Sequence, residues 1–449
     1  MDGWVSRGWR ALSATVATIT LVLAVAPLVA AAAYVWDLPP GFPAPKVPSD
    51  NPMSVEKAAL GRYLFYERRL SGNLTQACGS CHQQGHAFSN GRVRAYGSTG
   101  DLLARNVMSL TNSVYGSTLT WANPDLRTFE DVVRPTLFGD HPTELGLGGR
   151  EAELVQRLRD DWRYPQLFRA AFPDDDDPVT VDNTIKAIGA FARTLVSGDS
   201  PYDRFVQHID RTALSEAAIR GGRLFFSERL ECFHCHGGFN FSESVTHTGK
   251  PIDEVTFQNN ALYNIDGRGA YPPDNTGLMA STGRPQDMGR FKPPTLRNIA
   301  VTAPYMHDGS IATLSEVLDH YAAGGRTITA GPYAGVGSAS PLKSEFMIGF
   351  RLTDQEKADL IAFLESLTDE TFLTNPAFSD PFANDPCSGD CNGDGSVTVD
   401  EIVYAVNVAL GTAPVTACMS LDSSGDGMVD VAELGTAVTV SITGCGSGG

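Results

Sequence analysis

Two short segments of this 449-residue chain place a pair of cysteines directly before a histidine. The first reads CGSCH, from Cys78 to His82, and the second reads CFHCH, from Cys232 to His236. Structural zinc usually takes four ligands from two paired clusters, and a disulfide framework has no use for the adjacent histidine. The CxxCH spacing is instead the attachment signature of c-type haem. The sequence therefore predicts two covalently bound haem c groups, with these attachment and iron-ligand residues: Cys78, Cys81, His82, Cys232, Cys235 and His236.

Similar helical patterns lead into the two motifs. The segment SVEKAALGRYLFYERRL precedes the first motif, and SEAAIRGGRLFFSERL precedes the second. Aligning Gly61 with Gly221 also matches the leucine, phenylalanine and arginine positions that follow. Further along, AIGAFARTL (187–195) resembles DLIAFLESL (359–367), and both read as amphipathic helices. The sequence thus predicts an internal duplication of a helical domain of about 150 residues.

The N-terminus predicts export. Arg7 and Arg10 precede an apolar run from Ala11 to Trp36 that contains four alanines at 30–33. This pattern is typical of a signal peptide cleaved near Ala33, and the run also exceeds the roughly 20 residues of a membrane anchor. Either alternative predicts a periplasmic or cell-surface protein in an oxidising compartment. The formal net charge of −18 argues against nucleic acid as a partner.

The tail contains two segments that match the calcium loop of an EF-hand, DCNGDGSVTVDE (390–401) and DSSGDGMVDVAE (422–433). Oxygen ligands alternate along such a loop, which ends in a glutamate. The expected calcium ligands are Asp390, Asn392, Asp394, Ser396, Thr398 and Glu401 in the first loop, and Asp422, Ser424, Asp426, Met428, Asp430 and Glu433 in the second. Four cysteines lie in this tail and predict two disulfides, for which three pairings exist.

The paired loops resemble a dockerin-type domain. Dockerins attach proteins to cohesins, so the resemblance implies a cohesin-like partner, the alternative being a calcium-stabilised stalk. The predicted fold is mainly α, with two tandem cytochrome c-like domains followed by a small α-helical dockerin-like calcium-binding domain. The expected segments are a signal peptide or anchor (1–35), the N-terminal (36–200) and C-terminal (201–375) cytochrome c domains, a linker (376–386) and the EF-hand domain (387–449).

Four further motifs resemble the bacterial di-haem cytochrome c peroxidase and MauG superfamily. They are RN (105–106), LTWANP (119–124), PTELG (142–146) and FKPPTLRNIAVTAPYMHDGSIATLSEVLDHY (291–321). In that family the N-terminal haem is the peroxide site and the C-terminal haem relays electrons. The resemblance therefore implies a peroxidase-type oxidoreductase that acts on hydrogen peroxide with a small redox protein as electron donor.

The resemblance also assigns residues around the first haem. Ser98 stands where classical members carry a histidine that ligates this iron. A serine hydroxyl is a poor iron ligand, so we expect an open first haem, as in the MauG branch. Glu144 matches the distal glutamate, which would move the proton during peroxide cleavage. Trp121 matches a tryptophan near the path between the haems. His86 is the nearest rival ligand, but it lies close to the first motif.

The second haem is expected to have two protein ligands. Tyr321 matches the position that is methionine in the peroxidases and tyrosine in MauG, with Met306 and Met347 as alternatives. MauG has a tryptophan where this chain has Leu230, and this difference weakens the analogy with MauG charge sharing.

The resemblance further implies a calcium ion between the two haem domains, bound by Asn106, Thr302 and Pro304, since this hard cation prefers oxygen ligands.

Four functions fit the sequence. They are a di-haem peroxidase, a MauG-like oxidase of a protein or organic substrate, a non-catalytic di-haem electron carrier, and a calcium-dependent assembly module in which the tail is primary and the haem domains are its cargo. The carrier needs two strong ligands on each iron. Position 98 is a serine instead of the histidine expected to ligate the first iron, and this argues against the carrier.

Overall fold

A computed structural model describes residues 34–161, 163–207, 209–382, 387–391, 396–415, 418–423 and 428–445. The predicted leader segment 1–33 lies outside these residues. The helices are α1 Val55–Tyr66, α2 Cys78–Cys81, α3 Phe129–Phe138, α4 Glu151–Asp160, α5 Arg163–Ala171, α6 Val181–Arg193, α7 Pro201–Val206, α8 Glu216–Phe225, α9 Cys232–His236, α10 Met279–Thr282, α11 Leu314–Ala322, α12 Asp354–Glu365, α13 Glu370–Leu373, α14 Val399–Ala409 and α15 Val431–Thr443.

The sheet content of the described residues is one antiparallel pair, β1 (Thr327–Ile328) and β2 (Gly335–Val336), in which Thr327 is opposite Val336. The prediction of a mainly helical chain is therefore confirmed. None of the described helices has the length and apolar character needed to cross a membrane. Residues 34–449 group as a single compact unit, and the predicted domain boundaries within that range stay predictions.

Two helix pairs repeat the same packing. Helix α1 packs against α6, and α8 packs against α12. A Cβ atom added to Gly61 would lie 1.9 Å from the carbonyl oxygen of Ala187, and one added to Gly221 would lie 1.9 Å from that of Asp359. Only a glycine permits helices to approach this closely. The two glycines that align in sequence thus occupy equivalent contacts.

Each of these four helices begins at a hydroxyl side chain. Ser54, Thr180, Ser215 and Thr353 each accept a hydrogen bond from the backbone N–H three residues later, which satisfies one of the free donors of the first turn. Helix α1 ends earlier than its apolar pattern suggests, at Tyr66. The Glu67 carboxylate accepts from the Arg69 N–H at 2.8 Å and favours a 3₁₀ turn there.

Each helix pair encloses an aromatic core beside one cysteine motif. In the first pair, Phe65 and Phe191 lie edge to face with ring centroids 5.2 Å apart. In the second pair, Phe225 and Phe363 are 5.1 Å apart. All four rings are at most 4% exposed. The buried aromatic pairs hold each short cysteine-bearing helix next to a rigid apolar wall.

The tail is cross-linked by two disulfides. Disulfides join Cys387 to Cys445 and Cys391 to Cys418, which selects one of the three pairings. Helices α14 and α15 contact each other. The segment before the tail is also attached, because the Tyr66 hydroxyl donates to the Phe378 carbonyl at 2.7 Å.

Candidate functional site

The first cysteine motif presents His82 in one defined orientation. Cys78 and Cys81 begin and end α2, and the His82 N–H donates to the Cys78 carbonyl at 2.8 Å. The ring nitrogen Nδ1 of His82 donates to the Phe88 carbonyl at 2.7 Å, since a carbonyl only accepts. The tautomer with a proton on Nδ1 leaves the Nε2 lone pair for a metal. Burial lowers the pKa of His82, which keeps the ring neutral.

The second motif repeats this arrangement. Nδ1 of His236 lies 3.1 Å from the Pro294 carbonyl and 3.3 Å from that of Phe241. Burial lowers the pKa of His236 to about 4, so Nε2 is again available as a neutral ligand. The other histidine of the motif, His234, instead contacts the Glu231 carboxylate at 2.7 Å. The chain thus offers one suitable iron ligand per motif.

The four motif cysteines are unpaired thiols, unlike the four in the tail. Burial raises the pKa of Cys78, Cys232 and Cys235 to about 12, and that of Cys81 to about 11. Protonated, half-exposed thiols beside a metal-competent imidazole fit thioether attachment of haem better than binding of a thiolate-coordinated metal.

Glu144 lies beside the first motif. Its charge contributes to the raised pKa of both Cys78 and Cys81. Burial raises the pKa of Glu144 itself, and a hydrogen bond with the Thr136 side chain opposes this effect. A buried carboxyl group with a raised pKa is suited to accept and return a proton.

Ser98 lies on the loop that covers Glu144. The Ser98 N–H donates to the Glu144 carbonyl at 2.7 Å. Its hydroxyl oxygen is buried and has no hydrogen-bond partner among the described residues. The rival ligand His86 is directed elsewhere, because its Nδ1 lies 3.2 Å from the Val301 carbonyl. The structure thus brings Ser98 and Glu144 together and leaves His86 in a separate contact.

The second motif lines a large apolar cavity. Its empty volume is about 1330 Å³, which includes the solvent-filled space at its opening. Cys232, Cys235 and His236 line it together with Leu230 and many apolar side chains. Both thiols and the ligand imidazole face one apolar space, so the residues present fit a covalently bound haem. Leu230, which the resemblance aligns with the MauG tryptophan, is part of this lining.

All three candidates for the second iron ligand on the opposite side line this cavity, namely Tyr321, Met306 and Met347. The Asn260 amide sets Met306 apart from the other two candidates, because its Nδ2 donates to the Met306 sulfur at 3.2 Å. Burial raises the pKa of the Tyr321 phenol. The Met306 sulfur already has a partner in this arrangement, which argues against Met306, and Tyr321 as the ligand stays a prediction.

Trp121 lies between the second cavity and a smaller one of about 450 Å³, and it lines both. Its indole N–H donates to the Asn106 carbonyl at 2.8 Å. The smaller cavity brings together the three residues predicted to bind a calcium ion between the haem domains: Asn106, Thr302 and Pro304. The Asn106 amide nitrogen donates to the Arg92 carbonyl at 2.8 Å, so a cation would bind its amide oxygen.

The structure describes eight of the twelve predicted EF-hand ligands, because Asn392, Asp394, Ser424 and Asp426 lie outside the described residues. The two loop-ending glutamates occupy matching positions. Glu401 accepts from the Thr398 N–H at 2.7 Å, and Glu433 accepts from the Asp430 N–H at 3.0 Å. Each bond closes a helix-capping box, an arrangement that the same sequence pattern also predicts.

Two buried polar residues of the second cavity were not identified from the sequence. The Lys292 amine donates to the Thr118 carbonyl at 2.7 Å, and burial lowers its pKa to about 8. His307 stacks on Phe291 with centroids 3.6 Å apart, and burial lowers its pKa to about 4. Both lie in the 291–321 block that carried the family resemblance, but neither residue type alone indicates a cavity.

Comparison with known proteins agrees with this geometry. Residues 55–211 match the family described as di-haem cytochrome c peroxidase. The cytochrome-c peroxidase IdrP1 of Denitromonas iodatirespirans is 33% identical over 81% of this chain and 95% of its own length. The methylamine utilization protein MauG of Methylophilus methylotrophus is 34% identical over 77% of this chain and 94% of its own length.

A solved structure gives a stronger likeness. A MauG-like protein associated with microbial copper homeostasis is 51% identical, with a TM-score of 0.76, and the match covers 78% of this chain and all of that one. Relatives of both the peroxidase and the MauG type align along nearly their whole length. The chain therefore belongs to the di-haem cytochrome c peroxidase/MauG family, whose cofactor is a pair of c-type haems.

Proposed function

We propose that the chain is an enzyme that reduces hydrogen peroxide at its first haem and takes the electrons through its second haem. Cys78, Cys81 and His82 hold the first haem, and the equivalent three residues of the second motif hold the other. When bound, the first haem supplies the iron at which peroxide is cleaved. The observation that carries the proposal is the half-buried Glu144 carboxyl group with its raised pKa, on a residue whose backbone carbonyl accepts from the Ser98 N–H.

Glu144 serves as the proton carrier in this proposal. Its ionised carboxylate takes the proton from one peroxide oxygen and returns it to the other, which leaves as water. The surrounding burial raises the pKa of Glu144 and makes its protonated form accessible during the reaction. The chain needs no further acid or base for this step, because the same carboxyl group performs both transfers.

Ser98 keeps the peroxide position of the first haem open. Its hydroxyl is small and neutral, whereas a histidine at this position would supply a strong iron ligand. The unpartnered buried hydroxyl lies beside Glu144, so it is also positioned to hydrogen-bond an incoming peroxide or water. With serine at this position, the first haem, when bound, would supply a ferric iron that is accessible to peroxide.

Tyr321 would be the other protein residue that holds the second haem. The Asn260 amide holds the competing Met306 sulfur at 3.2 Å. A tyrosinate ligand stabilises ferric iron and so makes a haem harder to reduce, which suits a centre that stores oxidising equivalents. Trp121 lies between the second cavity and the smaller one, in a position to connect the two haems.

A MauG-like oxidation is the second candidate, in which a protein or organic substrate supplies the electrons. The 51% identity with a MauG-like protein favours it over a small redox protein as donor. Tyr321 supports it as well, since MauG has tyrosine at this position. Leu230 is a departure, because the MauG tryptophan at this position is absent.

Calcium is proposed at two places. Asn106, Thr302 and Pro304 line one cavity next to Trp121, where a cation would fasten the loops between the haem sites. The EF-hand loops of the tail form the other place, with Asp390 and Asp422 at their first positions. A cohesin-like partner for the tail and a periplasmic or cell-surface location accompany this proposal.

Electron paramagnetic resonance tests the central step. The ferric holoprotein is measured before and after one equivalent of hydrogen peroxide. We expect a high-spin signal from the first haem beside a low-spin signal from the second, and we expect peroxide to remove the high-spin signal. Two low-spin signals that do not respond to peroxide would indicate an electron carrier and contradict the open first haem.

A further inference from the structure

A row of aromatic rings connects the second cavity with the protein surface. The ring centroid of Tyr271 is 6.1 Å from that of Phe291 and 6.2 Å from that of His307, and both of these residues line the cavity. Tyr263 follows at 5.4 Å from Tyr271. Tyr333 follows at 5.9 Å from Tyr263 and is 39% exposed. Neighbouring rings are thus in contact from the cavity wall to solvent.

The inner part of this row is shielded from water. Tyr263 and Tyr271 are 7% and 3% exposed, and they belong to one apolar cluster with Phe291. Trp121, proposed to connect the haems, packs against the same cluster. An oxidised side chain in such surroundings is protected from reaction with solvent. The cluster also places the tyrosines next to the redox path instead of in an unrelated part of the fold.

The two buried tyrosines differ in what accepts their protons. The Tyr263 hydroxyl donates to the Asp308 carboxylate at 2.6 Å, whereas the Tyr271 hydroxyl donates to the Asn259 amide oxygen at 2.8 Å. A phenol that loses an electron becomes strongly acidic and must release its proton. A carboxylate accepts and returns a proton readily, but an amide does not. Tyr263 is therefore the place where an electron vacancy can reside, whereas Tyr271 bridges the electron path to the cavity without being oxidised itself.

The outer end of the row lies where a large molecule can reach it. Tyr333 is in the turn between β1 and β2, so a partner that contacts this hairpin contacts the row without entering the haem cavity. The alternative route is weakened in this chain, because Leu230 replaces the tryptophan that MauG has beside its second haem. An aliphatic side chain cannot be oxidised in this way, so electrons need another entry.

We propose that electrons pass one at a time through Tyr333, Tyr263 and Tyr271 to the second haem. They come from an electron-rich aromatic ring, a phenol, presented by a substrate docked at the β1–β2 hairpin. This inference rests on the proposed function and names the substrate class of that reaction. Each hydrogen peroxide takes up two electrons and two protons to give two waters. Two phenols each lose one electron and one proton, so the row is used twice per peroxide.

The row itself is unchanged after each passage. Tyr263 loses an electron inward, and its proton moves to Asp308. When the next electron arrives from Tyr333, the proton returns from Asp308 to the Tyr263 oxygen. Tyr333 exchanges its proton with solvent and is restored by the phenol of the substrate. The oxidant throughout is hydrogen peroxide, as in the proposed function.

The test traps the electron vacancy at the surface. The holoprotein receives one equivalent of hydrogen peroxide and a nitroso spin trap, with no substrate present, and adducts are located by peptide mass spectrometry. We expect adducts on Tyr333 in the wild type and their loss in Tyr263→Phe. In Tyr333→Phe we expect loss of the surface adduct, while the low-temperature tyrosyl signal persists on Tyr263. Tyr404→Phe, a change in the tail, is the control and should leave the Tyr333 adducts unchanged.

The outcomes separate this inference from the proposed function. Undiminished adducts on Tyr333 in Tyr263→Phe, or no adducts there although peroxide removes the high-spin signal, would overturn the route while leaving the peroxide reaction intact. A high-spin signal that does not respond to peroxide would instead overturn the proposed function. Tyr333→Phe keeps the test decisive if Tyr263→Phe folds poorly, because its side chain is at the surface.

Discussion

At the residue scale, both motif histidines are oriented by a carbonyl from an unusual backbone position. Phe88 has a φ of 59° and Phe241 a φ of 47°, and the carbonyl of each contacts the Nδ1 atom of its histidine. This left-handed conformation costs a bulky residue about 1–3 kcal/mol. Such strain persists only where the surroundings enforce it, and here it fixes which ring nitrogen is available to iron.

Glu144→Gln tests the proton carrier. Glutamine keeps the shape of the side chain but cannot accept a proton, so we expect the rate of the peroxide reaction to fall by about 10²-fold or more. The measurement is stopped-flow absorbance of the ferric holoprotein mixed with peroxide. Glu151→Gln, which changes an exposed carboxylate at the start of α4, should react at the wild-type rate. An unchanged rate in Glu144→Gln would remove this residue from the mechanism.

The pH dependence follows from the direction of the Glu144 pKa shift. Burial raises this pKa, and only the ionised form accepts the peroxide proton. The rate constant should therefore decrease as the pH falls through the raised pKa, at a pH above the ordinary range of a glutamate. Glu144→Gln should lack this acidic limb. If the limb persists in that variant, a different group is titrating.

Ser98→His tests whether position 98 faces the first iron. Imidazole is a strong iron ligand and a serine hydroxyl is not, so we expect the histidine variant to convert the high-spin signal to low-spin and to slow the peroxide reaction. Ser98→Ala removes the hydroxyl without adding a ligand, and it should remain high-spin. A high-spin Ser98→His protein would show that this loop does not bring residue 98 to the iron.

The residues that bind and attach haem could be predicted because their chemistry needs fixed spacing within five positions. Asn260, Lys292 and His307 could not. Each gains its role from burial in the second cavity, and that depends on segments far apart in the chain. A single asparagine or lysine in an irregular loop carries no periodic signal. Their importance becomes visible only when the partner atoms, such as the Met306 sulfur, are located.

At the scale of elements, the paired glycines set the distance between helices. Gly61→Ala and Gly221→Ala each introduce a methyl group that meets a backbone carbonyl at 1.9 Å, so the helices must separate. Overpacking of this kind costs about 1–3 kcal/mol, and we expect a lower Tm in circular dichroism. Gly435→Ala in α15 meets nothing within 4 Å and should be neutral or stabilising by about 1 kcal/mol. Equal effects in all three variants would contradict the close-contact explanation.

The repeated helices could be predicted from the sequence, whereas the long loops between them could not. Helices α1, α6, α8 and α12 each bury residues about one turn apart and have a hydroxyl side chain at the start. The region 237–313 contains α10 as its one α-helix, four residues long, among residues that are all described. Contacts with distant segments hold this region, such as the bond from Lys292 to Thr118. Local propensity does not encode contacts of that range.

At the scale of the whole molecule, the segment before the tail is part of the first helix pair. The Tyr66 hydroxyl donates to the Phe378 carbonyl, and the Arg62 guanidinium donates to the Ser379 carbonyl, both at 2.7 Å. The tail proper makes an ion pair, because the Arg68 guanidinium lies 2.7 Å from the buried Asp422 carboxylate. The sequence predicts a linker over 376–386, but Phe378 and Ser379 in this segment accept hydrogen bonds from α1. We call these two residues the clasp.

Two truncations distinguish the clasp from the tail. Removing 387–449 deletes both disulfides and the EF-hand loops but keeps Phe378 and Ser379 on α1. We expect this protein to bind two haems and to react with peroxide at the wild-type rate, with binding to any cohesin-like partner lost.

Removing 374–449 also deletes the clasp and exposes Tyr66, so its Tm should fall below that of the shorter truncation. Tm is followed through haem absorbance in both proteins. Because the two cysteine motifs and the lining of the second cavity lie within 78–364, a loss of peroxide reactivity in the shorter truncation would mean that the tail contributes to the first haem site and is not a separate assembly module.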